Sequence, residues 1–511
     1  MTAQTAEPAI DPADRTVEIH APAPRARART AAAPRVSAPR VSAPKPLLRP
    51  RSAVQPSLVA LPVVFVIALS TSLWAWQGHG PVHAISWVTT VMWTLPVFTS
   101  LIGTYGGLRT VRRLRAARRR GPTHNVRTDR LVVVIPTIGR YDTLPALDRV
   151  VRSCARLAPF FPDRTIDIVI EEGCAAEAEI RELARTTALA RVIMVPARYR
   201  TPNGTKFKAR ANHYAHVHRI ADGEARDDVW VLHLDDDTGV DLDTAEELAR
   251  FVGDQRGRGA DALHLTQGVL TYPREHGTDR LVWLADAVRP ACDISTFAAT
   301  TGRGTPRAGL HGELLLVRAS IEAGIGWDFG PRAMVEDAQF ALEFTRRHPG
   351  RSDWFPGRCL GATPVSVKDF VTQRERWAWG LLELAANRRM PLRSRLLLIH
   401  NMIVWACGPL QHVGVVLLAG GLLGQVDTLP VTALLLPVWA VNIAYQIWSY
   451  WEGLKINVRA SADPRRIWWE SIAVVALMPL FSLWEAAGVL RGFVRFIRHD
   501  TTTFTVIAKP R

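Results

Sequence analysis

Three adjacent carboxylates, Asp235, Asp236 and Asp237, follow directly on an apolar run of strand-forming residues that begins at Val229. In an α/β protein, the carboxyl end of a strand borders the cleft in which ligands bind. On an extended segment, residues one apart point to the same side, so Asp235 and Asp237 are predicted to share a ligand. Hard oxygen ligands of this kind suit Mg²⁺ or Mn²⁺, and such an ion neutralises a diphosphate. A solvated turn after a strand is the alternative that the triplet alone leaves open.

A second pair of carboxylates, Glu336 and Asp337, stands just before a stretch with amphipathic helical spacing. Two acids side by side raise the pKa of one of them, which suits a general base that works near neutral pH. Acids at the start of a helix also cap its exposed end, and without further context that role is the commoner one. The sequence therefore marks this pair as a candidate base.

Two further stretches place cations where an anionic ligand would need them. The segment Asn203–Asn212 gathers basic groups before a predicted helix, as an anion site requires, although a solvated basic turn would show the same pattern. The segment Phe370–Gly380 mixes Arg and Trp at helical spacing. It is predicted to clamp a diphosphate and to form a wall for a sugar ring, and an interfacial membrane anchor is the alternative.

The elements that must position these residues form an α/β domain, predicted over residues 128–390. A helix with amphipathic spacing, Thr143–Leu157, lies between the first two of four predicted strands, and the second strand also ends in carboxylates, Glu171 and Glu172. The predicted strands are Leu131–Thr137, Ile166–Gly173, Val192–Pro196 and Trp230–Leu234. Strands alternating with helices indicate a parallel, doubly wound sheet. A dinucleotide fold or a P-loop is disfavoured, because neither glycine-rich motif follows the first strand.

Length and charge point to a membrane protein. The 511 residues exceed one ordinary domain, and the five cysteines show no close-spaced pair, which argues against a zinc site or a disulfide framework. Much of the net charge of +16 lies in the first 55 residues and in Arg112–Arg120, both of which border apolar stretches. This placement favours membrane lipids as partners and disfavours nucleic acid.

Five apolar segments are predicted to enter the membrane: 57–76, 84–106, 396–418, 428–449 and 470–490. Basic residues flank them on the side that the positive-inside rule assigns to the cytosol, so the α/β domain is predicted to be cytosolic. Pro479 and Glu485 lie within the last segment, which predicts a broken or re-entrant helix there. The predicted division of the chain is 1–55 disordered basic tail, 56–108 two membrane helices, 109–127 basic linker, 128–390 catalytic domain and 391–511 C-terminal helices with a basic tail.

In this order, the stretches resemble the membrane-bound glycosyltransferases of family 2, which have a GT-A catalytic fold with a Rossmann-like, mostly parallel sheet. The matching features are carboxylates after the second strand, then D-x-D, E-D and Q-x-x-R-W motifs, flanked by membrane helices. A closer resemblance, to the egghead-type β-1,4-mannosyltransferases, extends from about residue 128 to the end. It rests on Phe207–Ala211, His233–Thr238, Gln267–Tyr272, Trp283–Arg289 and Asp369–Trp377.

The resemblance implies a role for each motif. Asp235 and Asp237 would hold Mg²⁺ or Mn²⁺ with the donor diphosphate, and Asp337, with Glu336 beside it, would deprotonate the acceptor hydroxyl. The residues that would contact the donor are Pro136, Thr137, Glu171, Glu172, Lys208, Arg210, Asp236, Gln373, Arg376 and Trp377. Those that would contact the acceptor are His311, Gly312, Glu313 and Trp377. The closer family has a Lys-Gly-Ser type stretch where this chain has the first three of these, so acceptor identity is the least transferable property.

The function implied is inverting, metal-dependent transfer of a hexose from a nucleotide sugar to a lipid-linked or glycan acceptor at the cytosolic face of the plasma membrane. GDP-mannose is the first candidate donor, followed by UDP-glucose or a UDP-N-acetylhexosamine. Direct displacement at the anomeric carbon needs one base, unlike hydrolysis with its two carboxylates. A processive polysaccharide synthase that uses a UDP-sugar stays open as an alternative, as does a non-enzymatic membrane scaffold with a basic tail. The oligomeric state is left open.

Overall fold

The structure of the protein, a computed structural model, describes residues 54–76, 84–120, 129–412, 433–461 and 467–499. Most of the predicted basic tail, the loop 77–83, the end of the basic linker and the C-terminal tail lie outside the described residues.

One mixed sheet organises the α/β domain, with eight strands in the order β3-β2-β1-β4-β7-β6-β8-β5. The strands are β1 (Arg130–Pro136), β2 (Arg164–Glu171), β3 (Ala190–Val195), β4 (Val229–His233), β5 (Gly239–Val240), β6 (Leu265–Thr271), β7 (Leu315–Arg318) and β8 (Ser352–Leu360). Strands β1 to β4 pair in parallel, and β6 pairs in parallel with β8. Strand β7 pairs antiparallel with both β4 and β6, and β5 pairs antiparallel with β8. Four of the seven pairings are therefore parallel, and the antiparallel pairings in the second half correct the parallel, doubly wound sheet that the sequence predicts.

Helices cover both faces of this sheet, which explains why its central strands read as continuous apolar runs. In β1, Leu131, Val133 and Ile135 pack on one face, and Val132 and Val134 pack on the other; all five are fully buried. The helices of the domain are α4 (Leu144–Ser153), α5 (Glu177–Thr186), α6 (Phe207–Ala221), α7 (Leu242–Arg256), α8 (Arg280–Ala285), α9 (Arg289–Cys292), α10 (Ala298–Thr301), α11 (Ala319–Ile325), α12 (Glu336–Arg347) and α13 (Val367–Ala386).

Apolar helices precede and follow the domain. They are α1 (Ala60–Trp76), α2 (Ala84–Thr94), α3 (Val97–Arg120), α14 (Leu392–Ala406), α15 (Leu436–Ala460), α16 (Trp468–Ala476) and α17 (Met478–Ile497). Within the described ranges, none of them is by itself both long enough and apolar enough to cross a bilayer. Helices α16 and α17 reach that length and composition only as a pair, bent by 55°.

The predicted membrane segments therefore need correction. The segment 84–106 is two helices, α2 and α3, separated at Leu95 and Pro96, because proline disfavours helical geometry in the residue before it. The break predicted in the segment 470–490 is confirmed, since α16 ends at Ala476 and α17 begins two residues later. The end of the segment 396–418, from residue 413, and the start of the segment 428–449, up to residue 432, lie outside the described residues.

Helix α17 packs closely along α13, and two glycines permit this contact. A Cβ on Gly488 would overlap the Cβ of Arg374, and one on Gly492 would stand 2.6 Å from the carbonyl oxygen of Glu375. Larger residues would force the helices apart, since backbone and Cβ atoms cannot move aside as a flexible side chain can. The last described helix is therefore firmly attached to the helix that carries the Q-x-x-R-W motif.

Candidate active site

The aspartate triplet lies in a turn at the end of β4, and not on the extended segment that the sequence predicts. The backbone N–H of Asp235 donates to the hydroxyl of Thr238 (3.0 Å), and the N–H of Thr238 donates to the carbonyl of Asp235 (3.2 Å). Asp235 and Asp237 nevertheless line one cavity. Asp236 contacts β1 instead, where the Thr137 hydroxyl donates to its Oδ2 (2.7 Å).

A buried cluster around Glu322 fixes β4 just ahead of this turn. His233, the last residue of β4, has its Nε2 2.8 Å from Glu322 Oε1, and the indole N–H of Trp327 donates to the same oxygen (2.7 Å). Arg219 of α6 donates to Oε2 (2.6 Å). The side chains of Arg219, His233 and Glu322 are each at most 2% exposed. The strand end that carries the aspartates is thereby tied to α6 and α11.

The cavity has a volume of about 510 Å³ and brings together most of the residues singled out in the sequence. These are Lys208, Asp235, Asp237, His311, Glu313, Glu336, Asp337, Gln373, Arg376 and Trp377. Strand ends, the start of α12 and one face of α13 thus contribute to one wall. The predicted metal-binding aspartates and the predicted base share a single space.

Lys208 lies at the centre of this cluster. Its ammonium contacts Asp235 Oδ1 and lies 3.3 Å from Glu336 Oε1. Burial lowers the pKa of Lys208, but Asp235 and Glu336 outweigh burial and raise it well above its ordinary value. Gly312 leaves room for this ammonium, because a Cβ there would overlap Nζ and stand 3.2 Å from Asp337 Oδ2.

Acidic groups outnumber basic groups in this part of the cavity. Burial raises the pKa of Glu313, and the nearby Asp235 raises it further. Burial also raises the pKa of Glu336, with Lys208 opposing the shift and Asp337 adding to it. Burial is the larger cause of both shifts, so these two carboxyl groups tend to be protonated near neutral pH, and the neighbouring acids add to the effect. A cation bound beside them would favour their charged forms.

His311 enters the cavity as half of an ion pair. Its Nε2 lies 2.6 Å from Oδ1 of the fully buried Asp293, and its backbone N–H donates to the Gln267 side chain (2.6 Å). Burial lowers the pKa of His311, but Asp293 outweighs this effect and raises it to about 9. The ring is therefore held in place as an imidazolium near neutral pH. The stretch that sets this chain apart from the egghead-type pattern thus lies at the cavity wall.

Helix α13 presents its motif as the sequence predicts. Gln373, Arg376 and Trp377 are spaced i, i+3, i+4 and all line the cavity. The intervening Arg374 is fully buried, where it contacts Asp286 and donates from Nε to Glu485 Oε1 of α17 (3.0 Å).

Beyond Trp377 the cavity continues between the apolar helices. Arg289 stacks on the Trp377 ring (4.7 Å from guanidinium carbon to ring centroid) and donates to Glu485 (3.3 Å). The lining in this direction mixes apolar and amide side chains from α3, α14, α15 and α17, and includes Ile102, Leu397, Asn401, Met402, Trp405, Gln411, Gln446 and Ser482. One continuous space therefore connects the acidic cluster with the helices.

Several residues predicted to contact the donor do not line this cavity. Pro136 ends β1, and Glu171 ends β2, where it forms an ion pair with Arg210. Arg210 also donates to the carbonyl of Pro196 (2.9 Å). Glu172 accepts from a backbone N–H at residue 197 (2.8 Å). Glu171, Glu172 and Arg210 thus form a separate polar cluster at the carboxyl ends of β1 and β2.

The carboxylates of the cavity suit a divalent cation only if a bound phosphate group completes its coordination shell. In the part of the chain that the structure describes, no three His, Cys, Asp or Glu side chains converge closely enough to hold a metal by themselves. Mg²⁺ commonly takes one or two carboxylates and completes its shell with substrate phosphates and water. Asp235 and Asp237, which line a cavity together with Glu313, Glu336 and Asp337, match that arrangement.

The family comparison matches the part of the chain that carries these motifs. Residues 230–451 match the model of glycosyl transferase family group 2. This stretch is a family 2 glycosyltransferase domain. It begins within β4 and ends within α15, so it holds the aspartate turn, the E-D pair and α13, whereas β1 to β3 precede it.

Curated relatives of the family 2 domain point the same way. The chain is 26% identical over 303 residues to the β-1,4-mannosyltransferase bre-3 of Caenorhabditis briggsae, covering 59% of this chain and 64% of that protein. It is 27% identical over 233 residues to the β-1,4-mannosyltransferase egh of Drosophila melanogaster, covering 45% of this chain and 49% of that protein. The alignments thus span from about half to less than two thirds of these relatives. A solved mannosyltransferase from Pyrobaculum calidifontis, in complex with GDP-Man and Mn²⁺, superposes with a TM-score of 0.46 at 16% identity, covering 81% of this chain and 98% of that chain.

Sequence reasoning missed the residues at the far wall of the cavity. Arg289, Trp405, Tyr450 and Glu485 all line it, yet none was named as a site residue. One signal was available, because Glu485 stands within an apolar segment, and ionisable residues in such segments commonly have a functional role. Trp405 and Tyr450 gave no comparable signal, since aromatic residues abound in this part of the chain.

Proposed function

We propose that the protein transfers a hexose from a nucleotide sugar to an acceptor hydroxyl, with inversion at the anomeric carbon. The observation that carries the proposal is the shared cavity, which Asp235, Asp237 and Asp337 all line. The match of residues 230–451 to family 2 supports the reaction class. We also propose that the domain built on this sheet has the GT-A fold.

Each motif has a part in this reaction. Asp337 accepts the proton of the acceptor hydroxyl, which attacks the anomeric carbon while the bond to the nucleoside diphosphate breaks. Its carboxylate is oriented by the backbone N–H of Ala338, which donates to Oδ1 (2.7 Å) and leaves Oδ2 on the Gly312 side. Gln373 and Arg376 of α13 bind the leaving diphosphate, and Trp377 forms the wall against which the acceptor lies.

A divalent cation, Mg²⁺ or Mn²⁺, belongs to the proposal. When bound by Asp235 and Asp237 it supplies charge neutralisation to the diphosphate. The polar cluster formed by Glu171, Glu172 and Arg210, together with Thr137, is proposed to border the nucleotide, since ligands bind at the carboxyl ends of parallel strands.

The donor is proposed to carry mannose, as GDP-mannose, because the curated relatives are β-1,4-mannosyltransferases. The acceptor is proposed to be lipid-linked or a glycan. The cavity supports this class, because it passes from the acidic cluster to a space lined by apolar, amide and tryptophan side chains of the helices. Apolar walls suit a lipid chain, and amides with tryptophan suit sugar hydroxyls and ring faces.

A processive polysaccharide synthase is the second candidate, and the same extension of the cavity favours it. A growing glycan would then occupy the space between the helices. The size of the product separates the two candidates, because single transfer adds one hexose and processive synthesis gives a long chain.

The membrane setting is also part of the proposal: a multi-pass protein of the plasma membrane with its catalytic domain in the cytosol. Large apolar side chains are exposed along the helices that flank the domain, as a lipid-facing surface requires. Among them are Val63, Ile67, Trp74, Leu396, Ile403, Leu483, Leu490 and Ile497. At the start of α16, Trp468 and Trp469 are 78% and 76% exposed, and tryptophan is enriched at membrane interfaces.

The test is nucleotide release and product formation by the full-length protein in detergent with Mn²⁺ and a lipid extract as acceptor. GDP-mannose, UDP-glucose and UDP-N-acetylglucosamine are compared, and NMR of the product reports the anomeric configuration. Loss of the base should reduce kcat by roughly 10²- to 10⁴-fold, so Asp337→Asn is the decisive variant. An Asp337→Asn protein with wild-type turnover would refute the assignment of the base, and an α-linked product from an α-linked donor would refute inversion.

A further inference from the structure

A side chain already occupies one of the carboxylate oxygens at which the divalent cation is expected. The Lys208 ammonium contacts Oδ1 of Asp235 and lies 3.3 Å from Glu336 Oε1. A divalent ion and an ammonium at the same carboxylate oxygen repel each other, and the repulsion is stronger in a partly buried site than in bulk water. Lys208 and the metal therefore compete for Asp235.

The surroundings of Lys208 explain the position of its ammonium. Its side chain is 26% exposed, and the charges nearest to it are the carboxylates of Asp235 and Glu336. Gly312 faces the ammonium, and any Cβ at that position would overlap it. By contrast Lys206, two residues earlier, is exposed to solvent. The cavity thus has a place for one lysine ammonium and not for its neighbour.

We propose that Lys208 is a resident competitor of the divalent cation at Asp235, which neutralises Asp235 and Glu336 in the donor-free protein and leaves Asp235 when the metal arrives with a nucleotide diphosphate. The proposal rests on the proposed function for the location of the metal. The diphosphate provides the negative charge that both cations then share, and the flexible four-carbon stem of lysine allows the ammonium to move.

This competition couples the two ligands. A metal ion that binds alone must displace the Lys208 ammonium, so its net binding free energy is small. When the nucleotide binds with the metal, its diphosphate becomes a new partner for that ammonium. Metal affinity therefore rises with nucleotide, and nucleotide affinity rises equally with metal, because coupling between binding sites is reciprocal.

The experiment measures Mn²⁺ binding to the full-length protein in detergent, from the electron paramagnetic resonance signal of free Mn²⁺, with and without GDP or UDP. Lys208→Met removes the charge and retains the length of the side chain. We expect it to bind Mn²⁺ alone at least ~10-fold more tightly than wild type, which corresponds to about 1.4 kcal/mol. The gain that nucleotide brings should shrink in this variant. Lys206→Met is the matched control and should bind Mn²⁺ as wild type does.

Two more variants separate the possible failures. Gly312→Ala retains the lysine but moves its ammonium, so it should also tighten Mn²⁺ binding, by several-fold. If only Lys208→Met tightens Mn²⁺ binding, contact of the ammonium with Asp235 is not what weakens it in the wild type. Asp235→Asn should abolish Mn²⁺ binding. If it does not, the metal site of the proposed function fails together with this inference. If it does, and Lys208→Met binds Mn²⁺ no more tightly than wild type, the inference alone fails. Circular dichroism establishes that each variant is folded.

Discussion

Replacing Glu322 by glutamine should destabilise the catalytic domain by about 3–5 kcal/mol, the usual cost of removing one partner from a buried ion pair. Arg219 and Glu322 are only 2% and 1% exposed, so water cannot replace the lost charge. The glutamine oxygen can still accept from His233 and Trp327. Its NH₂ group, however, would face the guanidinium of Arg219, which would be left as an uncompensated buried charge.

The thermal midpoint of unfolding measures this effect. A domain of 150–250 residues loses roughly 2–4 °C per kcal/mol, so Glu322→Gln should unfold roughly 6–20 °C below wild type. The exposed pair of Glu182 and Arg185 on α5 supplies the control, since its side chains are 56% and 74% exposed and Glu182→Gln should leave the midpoint unchanged. A Glu322→Gln midpoint within 2 °C of wild type would show that the buried pair contributes no net stability.

The same pair predicts a dependence on pH. Burial raises the pKa of Glu322, but the Arg219 guanidinium and the bond to His233 outweigh burial and hold that pKa well below its usual value. A group whose folded pKa is depressed stabilises the protein above its unfolded pKa, about 4.3 for glutamate, and this stability is lost as the pH falls through the folded pKa. The difference between wild type and Glu322→Gln should therefore be constant above about pH 5 and should shrink below about pH 4.

Three further outcomes are expected. Chelation with EDTA should abolish transfer and added Mn²⁺ should restore it; transfer that persists in EDTA would remove the metal from the proposal. Thr137→Val removes the buried hydroxyl that donates to Asp236 and accepts from the backbone N–H of Gly139, so it should lower kcat/KM for the donor roughly tenfold and destabilise the protein by about 1–3 kcal/mol; unchanged donor kinetics would show that this bond does not orient the aspartate turn. Arg374→Met leaves Asp286 and Glu485 with Arg289 as their shared cation, and should lower the stability of the detergent-solubilised protein by about 3–5 kcal/mol; a wild-type unfolding midpoint would contradict this.

The first half of the sheet could be predicted from the sequence, because its strands are buried on both faces. Continuous apolar runs such as Leu131–Ile135 bounded by polar residues leave little choice of structure. The four later strands, β5 to β8, were not predicted. Strand β5 has two residues and β7 has four, so neither carries a periodic pattern. Their place is decided by pairing with strands distant in the chain.

The candidate site could also be predicted only in part. Motifs that combine reactive groups within a few residues, such as Glu336 and Asp337, are visible in the sequence because their chemistry is local. Contacts between distant segments, such as that of Arg374 with Glu485, depend on packing that no spacing encodes. The turn at Asp235, which the sequence left open as an alternative, depends on the side chain of Thr238 and not on the apolar pattern before it.

The position of Glu485 has a consequence for biosynthesis. The sheet, the aspartate turn and α13 are all translated well before α17, yet the far wall of the cavity includes a residue of α17, and α13 packs along its glycines. A nascent chain with a finished sheet still lacks that wall, and its Arg374 lacks Glu485 as a partner. The cavity is therefore complete only after α17 has left the ribosome and packed against α13, so a folded sheet alone does not form the whole site.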